Sequence, residues 1–179
     1  MLMRPTERVH LERFLAWERA CTLRLNRTAM SGEWAHLLAA ISRLSDGGIW
    51  IVLMIVLALI GPHGMQCALH MLFAGATAAV LYKLLKHCAG RPRPCVYIEG
   101  VQLCVPPLDE FSFPSGHTLH AVTFTTVAVA YYPSLALGLV PFTVLVALSR
   151  VALGLHYPSD VIAGAGVGGL VAVLSFHFV

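Results

Sequence analysis

The sequence predicts an all-α integral membrane protein, a helical bundle with about five transmembrane helices preceded by N-terminal amphipathic or interfacial helices. Of its 179 residues, 58% are hydrophobic and 12% are charged, whereas soluble domains are about 45–50% apolar and about 25% charged. Residues 117–148 carry no formal charge, and residues 64–85 carry only Lys83. Since a span needs about 20 apolar residues, these runs are long enough to cross a bilayer.

The N-terminal segment is predicted to be helical and to lie at the membrane surface. Over residues 6–28, apolar side chains alternate with Arg and Glu at roughly helical spacing, which is typical of an amphipathic helix lying on a membrane. The pattern leaves open a solvated helix that packs on the rest of the protein. A second short helix is predicted over residues 33–45.

Five apolar runs follow and are predicted to span the bilayer, at about 47–61, 64–88, 116–132, 135–153 and 158–178. The first run is short and can continue back into the 33–45 helix. Residues 90–114 form the one long loop, which is rich in proline. Gly164 and Gly168 form a small-residue face suited to close helix packing, more readily inside the bundle than in a dimer.

The length predicts a single domain over residues 1–179, with interfacial helices at 1–45 and a transmembrane catalytic bundle at 46–179. The net charge of +3 does not indicate a nucleic-acid partner, because most basic residues precede residue 44 and none line a groove with aromatics. The five cysteines match no zinc spacing. No metal or other cofactor is predicted, and nothing in the pattern fixes the oligomeric state.

Charged residues within the apolar part of the chain are expensive in a membrane and therefore informative. Alternating spans bring three polar segments to one side of the bilayer: the end of the second span, the start of the third, and the turn between the fourth and fifth. These segments carry the candidate site residues, which are Lys86, Arg93, Ser115, Gly116, His117, Arg150, His156 and Asp160. The topology alone therefore predicts one polar pocket.

The chemistry of this pocket suits a phosphate group. Lys86, Arg93 and Arg150 supply positive charge, and arginine forks match phosphate oxygens. Ser115 and Gly116 begin a helix, whose free N–H groups and positive dipole end favour an anion. Such donors would stabilise the extra negative charge of a phosphoryl-transfer transition state.

Two histidines and a carboxylate could carry the reaction. His156 and Asp160 are four residues apart at a helix start, so Asp160 could orient one ring nitrogen while the other attacks phosphorus. His117 could protonate the departing oxygen. Taken singly, these residues have plain structural readings, such as Arg150 paired with Asp160, or Lys86 extending to the interface; their joint placement favours a reactive site. His120 is interpreted as an interior histidine, and Arg91 as outside direct contact with phosphate.

The same residues form three motifs, in which the sequence resembles the type 2 phosphatidic acid phosphatase superfamily. They are Lys86-x6-Arg93-Pro94, Pro114-Ser115-Gly116-His117, and Ser149-Arg150-x5-His156-x3-Asp160. The resemblance implies that His156 is the nucleophile and forms a phosphohistidine, His117 is the general acid and Asp160 orients His156. It implies that Lys86, Arg93, Ser115, Gly116 and Arg150 bind phosphate without a metal.

The resemblance also implies a membrane lipid phosphatase acting on phosphatidic acid, phosphatidylglycerophosphate or polyprenyl pyrophosphate. A phosphotransferase that uses the same phosphohistidine and a non-enzymatic lipid-phosphate binder or transporter remain open. Membrane members usually have six spans, and here the charged 6–28 segment stands in place of the first. The family places its site on the outer face, which implies the periplasmic side of a bacterial inner membrane. The seven N-terminal arginines would favour the cytoplasmic side instead.

The cysteines provide a prediction about this orientation. Cys95 and Cys104 bracket a short segment of the long loop, and disulfides persist in oxidising compartments. If the site faces outward, Cys95 and Cys104 are expected to be bonded, with Cys88 as the competing partner.

Overall fold

The computed structural model describes residues 5–60, 62–107 and 109–179, so the first four residues of the predicted interfacial segment lie outside it. In the described ranges the regular structure is helical apart from one isolated bridge between Pro92 and Phe111. The helices are α1 Pro5–Met30, α2 Trp34–Leu44, α3 Gly48–Ile60, α4 Gly64–Ala89, α5 Pro94–Tyr97, α6 Gly116–Tyr131, α7 Ala136–Ala152 and α8 Pro158–Ser175. A 3₁₀ turn at Pro133–Leu135 leads into α7.

Helix α6 is at the centre of the bundle and packs against α4, α7 and α8. The close approach of α8 depends on glycine. A Cβ atom at Gly164 would lie 2.6 Å from the carbonyl oxygen of Ser115, and one at Gly168 would lie 2.3 Å from that of Leu119. The predicted small-residue face of α8 is therefore used for packing inside the bundle, where it places the start of α8 against the start of α6.

The outer surface of the bundle is apolar, as expected for a protein embedded in lipid. Large hydrophobic side chains such as Leu59, Leu72, Leu137 and Leu170 point outward. Within the described residues, three helical segments are long and apolar enough to cross a membrane: Gly64–Ala89, Pro133–Ala152 and Pro158–Ser175. Helices α2 and α3 make a fourth if that pair, bent by 54°, counts as one span. At 16 residues, α6 is about 24 Å long, so the count of five spans stays a prediction.

Helix α1 packs on the bundle through a polar face. Glu18, Thr22 and Asn26 follow one another at four-residue spacing and are fully buried. The Asn26 side chain donates hydrogen bonds to the carbonyl oxygens of Ala152 and Gln102, both at 2.9 Å. Several apolar side chains of α1, including Phe14 and Trp17, are exposed instead. The sequence left open whether α1 lies on the membrane surface or packs on the rest of the protein. In the structure α1 packs on the protein, and its outward face suits an apolar or interfacial environment.

The five cysteines, all of which lie in the described ranges, are free thiols. The predicted Cys95–Cys104 disulfide is therefore not formed in this structure. Cys95 lies in α5, where its N–H donates to the carbonyl oxygen of Gly154 at 3.0 Å. Cys104 instead packs with Leu153 and Leu155 in a small apolar cluster. The two cysteines thus have different neighbours, and the loop lends no support to either orientation in the membrane.

Candidate active site

The three segments singled out by the sequence meet at one end of the bundle. The backbone N–H of Ser115, just before α6, donates to the carbonyl oxygen of Asp160 in the first turn of α8 at 3.0 Å. Arg93, just before α5, reaches the turn between α7 and α8 and donates to the carbonyl oxygen of Leu155 at 2.8 Å. Segments far apart in sequence therefore share a single polar site.

His156 lies in the turn between α7 and α8 and is 1% exposed. Burial lowers the pKa of His156 to about 3, and Arg150 and Arg93 oppose its protonation further, although Asp160 favours it. The ring is therefore neutral near pH 7 and keeps a lone pair on one nitrogen. Nε2 faces the Arg93 guanidinium at 3.3 Å, which identifies Nε2 as the nitrogen with the lone pair and Nδ1 as the protonated one.

Asp160 lies behind the Nδ1 atom of His156. Its Oδ2 is 3.8 Å from Nδ1, which is close enough for electrostatic attraction but too long for a hydrogen bond, and Nδ1 has no hydrogen-bond partner among the described residues. Oδ2 accepts the backbone N–H of Tyr157 at 2.8 Å. Oδ1 accepts an N–H of Arg91 at 2.6 Å. The carboxylate is thus fixed by two donors and points toward the imidazole.

Lys86 and Arg93 share one carboxylate, that of Asp109, which sequence reasoning did not select. Oδ2 of Asp109 accepts from Lys86 and, at 2.8 Å, from the Tyr82 hydroxyl, and Oδ1 accepts from Arg93 at 2.6 Å. Burial alone would raise the pKa of Asp109, but the hydrogen bonds from Lys86, Tyr82 and Arg93 outweigh it and lower the pKa to about 2. Lys86 is buried in this ion pair and does not extend to an interface.

Arg150 is 3% exposed and donates to the Ser42 hydroxyl of α2. In the described part of the chain no carboxylate lies within ion-pair distance of it, and its Nε atom lacks a hydrogen-bond partner. The simple pairing of Arg150 with Asp160 is therefore not observed; Arg91 takes that place. Arg91 does not belong to the set of predicted phosphate-binding residues, yet it contacts the carboxylate that faces His156.

The start of α6 presents the remaining predicted residues. Ser115 is fully buried and its hydroxyl bonds the Thr118 hydroxyl at 3.0 Å. A Cβ atom at Gly116 would lie 2.8 Å from the Tyr82 ring, so a larger residue there would force the ring to move. The Nε2 atom of His117 contacts the carboxylate of Asp46, in the turn between α2 and α3. His120 donates to the Gly116 carbonyl oxygen at 2.9 Å, as expected for a satisfied interior histidine.

A mainly apolar cavity of about 350 Å³ adjoins His117 between α3, α4 and α6. Its walls include the apolar side chains of Trp50, Met54 and Phe124, and its polar end is formed by Asp46 and His117. Such a cavity suits a molecule with one apolar and one polar part. Among the described residues, no three His, Cys, Asp or Glu side chains cluster so as to hold a metal ion; metal independence stays a prediction.

Comparison with characterised proteins agrees with these features. The chain is 35% identical over 145 residues to decaprenylphosphoryl-5-phosphoribose phosphatase of Mycobacterium tuberculosis, covering 77% of this chain and 78% of that protein. It is 30% identical to undecaprenyl-diphosphatase of Sulfolobus acidocaldarius over 78% of this chain and 68% of the relative. It is also 31% identical to lipid A 1-phosphatase of Rhizobium etli, over 55% of this chain but only 44% of the Rhizobium protein.

Solved structures show the same architecture. LpxE of Aquifex aeolicus superposes with a TM-score of 0.77 at 27% identity, covering 87% of this chain and 92% of LpxE. A transmembrane phosphatidylglycerolphosphate phosphatase from Bacillus subtilis superposes with a TM-score of 0.67 at 24% identity, over 95% and 94% of the two chains, which supports the fold. The family model of the PAP2 superfamily matches residues 67–179, which include all three motifs. The chain is therefore an integral membrane protein of the PAP2 superfamily.

Proposed function

We propose that this protein is a metal-independent lipid phosphatase that hydrolyses a lipid phosphate or pyrophosphate through a phosphohistidine on His156. The observation that carries the proposal is the state of His156: the ring is buried and neutral, and Nε2 lies 3.3 Å from Arg93. A neutral imidazole beside a guanidinium has the lone pair needed for attack next to a cation that can hold a phosphate oxygen.

The proposed reaction begins with binding of the phosphoryl group by Lys86, Arg93 and Arg150, together with Ser115 and the N–H groups at Gly116. Nε2 of His156 then forms a bond to phosphorus, and the bond from phosphorus to the leaving oxygen breaks. His117 gives its proton to that oxygen. Positive charge develops on the His156 ring, and the negative Asp160 carboxylate facing Nδ1–H stabilises that charge without taking the proton. In the second half, His117 takes a proton from water as the water oxygen bonds to phosphorus. The bond from phosphorus to Nε2 of His156 breaks, its electron pair returns to Nε2, and inorganic phosphate is released.

The proposed substrate class follows from the cavity and the relatives. The apolar walls beside His117 suit part of a lipid next to the site where the phosphate would react. The names of the matched relatives concern lipid A, undecaprenyl diphosphate and decaprenylphosphoryl-5-phosphoribose. We infer a phosphorylated membrane lipid of the phosphatidic acid, phosphatidylglycerophosphate or polyprenyl pyrophosphate class. We also propose that residues 46–179 form the catalytic bundle and that the site faces the periplasm from a bacterial inner membrane.

The test uses the purified full chain in detergent with a panel of radiolabelled phospholipid and polyprenyl phosphates. Rapid acid-free quenching should trap an acid-labile phosphoenzyme in the wild type and none in His156→Ala. His117→Ala should retain turnover with substrates whose leaving group needs no proton, such as p-nitrophenyl phosphate. A phosphoenzyme in His156→Ala, or none in an active wild type, would overturn the assignment. Labelled phosphate appearing on a second lipid and not in water would identify a phosphotransferase instead.

A further inference from the structure

The N-terminal helix α1 contributes a carboxylate to the surroundings of the proposed nucleophile. Glu18 is fully buried, and its Oε2 atom accepts an N–H of Arg91 at 2.7 Å. Its Oε1 atom accepts the backbone N–H of Ser159, in the first turn of α8, at 3.0 Å. Both oxygens of Glu18 are therefore bonded to groups that adjoin Asp160.

Arg91 joins the carboxylates of Glu18 and Asp160. One of its terminal nitrogens donates to Asp160 at 2.6 Å and to the Ser159 hydroxyl at 2.8 Å, and the other donates to Glu18. The guanidinium carbon also lies 4.0 Å from the centre of the Tyr157 ring, which fixes the plane of the group. A continuous row therefore runs from Glu18 through Arg91 and Asp160 to the imidazole of His156.

The electrostatics of this row favour a role in the reaction. A buried carboxylate is stable only when it is paired and hydrogen-bonded, and Glu18 meets this condition through its bonds to Arg91 and to the Ser159 N–H in α8. Glu18, Arg91 and Asp160 together carry one net negative charge, which lies beside the ring that becomes positive when Nε2 bonds to phosphorus. If Glu18 were neutral, Arg91 would cancel the charge of Asp160, and the row would no longer stabilise that cation.

We propose that Glu18 is a positioning residue that acts through Arg91 to hold Asp160 in place and to keep it negative opposite His156. This inference rests on the function proposed above. Helix α1 would then contribute to the active site in addition to packing on the bundle, because its Glu18 lies at the outer end of the row of charges behind the nucleophile.

The main test compares Glu18→Gln with Glu12→Gln. Both make the same chemical change in α1, but Glu12 is on the surface, where it pairs with Arg8. Glu18→Gln should lower kcat about tenfold with KM unchanged, the size expected for one lost charge-assisted interaction, and slow phosphoenzyme formation by the same factor. Glu12→Gln should match the wild type. Values for Glu18→Gln within twofold of the wild type, or a change in KM alone, would contradict the proposal.

A double-mutant cycle separates positioning from general loosening of the fold. In an Asp160→Asn background, measured with an activated phosphate ester, Glu18→Gln should have no further effect, since its influence passes through the Asp160 charge. If Glu18→Gln lowered the activity by the same factor in both backgrounds, the role of Glu18 would be purely structural. If Glu18→Gln does not fold, Arg91→Lys replaces it, because lysine keeps the charge but cannot bridge both carboxylates; full kcat in this variant would also refute the inference.

Vanadate binding decides the question even if no phosphatase substrate is found. Vanadate can take a histidine nitrogen as its fifth ligand and therefore reports on His156, whereas orthophosphate reports on the cations alone. Glu18→Gln should weaken vanadate binding about tenfold and leave orthophosphate binding unchanged, with Glu12→Gln as the reference. Equal vanadate affinities in the wild type and Glu18→Gln would overturn the role of Glu18. Absence of turnover in an intact wild type would instead count against the proposed function.

Discussion

Replacing Asp109 by Asn tests whether this carboxylate competes with the substrate for Lys86 and Arg93. Its two side-chain oxygens accept from both cations, so a phosphate that binds Lys86 and Arg93 through the same N–H groups must exchange with the carboxylate. Asparagine has the same shape and keeps one accepting oxygen, but it removes the charge. We therefore expect Asp109→Asn to bind phosphate and vanadate more tightly than the wild type.

The size of this effect follows from the pKa of Asp109. Its lowering from 3.8 to about 2 corresponds to about 2.5 kcal/mol of interaction with the surrounding donors. The side chain is 35% exposed, and water screens such an ion pair, so we discount this to about 1 kcal/mol. Inhibition constants for orthophosphate and vanadate should accordingly fall about fivefold at pH 7.

The assay measures these inhibition constants and KM in detergent, with Glu110→Gln as the control. Glu110 is the adjacent acid and is exposed. Glu110→Gln changes the net charge by the same amount, and it should leave the inhibition constants and KM unchanged. Unchanged or weaker anion binding in Asp109→Asn would refute the reasoning and make Asp109 a support for the two cations. Because the pKa of Asp109 is lower in the folded state, its stabilisation is present above about pH 4 and is lost as pH falls toward 2. Unfolding of Asp109→Asn should be less pH-dependent in that window.

Three further predictions concern the cofactor, the packing and the orientation. Activity should survive EDTA, because the basic side chains supply the positive charge; restoration of activity by Mg²⁺ after chelation would contradict this. Gly164→Ala should lower the thermal midpoint and the activity, since its Cβ atom would lie 2.6 Å from the Ser115 carbonyl oxygen, whereas Gly166→Ala, which meets nothing within 4 Å, should not. In intact cells that express a cysteine-free but active variant of the protein, a single cysteine replacing Glu99 should react with a membrane-impermeant thiol reagent. Protection until the cells are permeabilised would place the site on the cytoplasmic side.

The helices and the meeting of the site segments could be predicted because they depend on local patterns. Apolar runs, turns and proline give the approximate helix boundaries, and alternation of spans brings the motif segments to one side. The spacing from His156 to Asp160 is fixed, so one turn and the first residues of the following helix determine the relative position of the two side chains. The span count does not follow from these patterns, because α3 and α6 are helices of 13 and 16 residues, shorter than a perpendicular crossing requires.

The carboxylates that complete the site could not be read from local patterns. Glu18 reaches Arg91 and Ser159 across 73 and 141 positions, and in a helix rich in arginine it looks like part of a solvated face. One signal was available: Glu18, Thr22 and Asn26 form a polar stripe at four-residue spacing, on a helix whose aromatic residues point elsewhere. Asp109 gave no such signal, because it lies in a loop without regular structure.

The distribution of these carboxylates is compatible with the proposed binding of an anion close to several buried acids. Among the described residues, Arg91 is matched by Glu18 and Asp160, His117 by Asp46, and Lys86 with Arg93 by Asp109. Arg150 has no carboxylate within ion-pair distance in that part of the chain and contacts a hydroxyl. A buried arginine left with only a neutral partner is costly, so in the proposed reaction we expect an incoming phosphate to gain most at Arg150. The remaining negative charge of the phosphate would be balanced only if Lys86 and Arg93 released Asp109 and bound the phosphate. Asp160, which is fixed by Tyr157 and Arg91, would stay opposite His156.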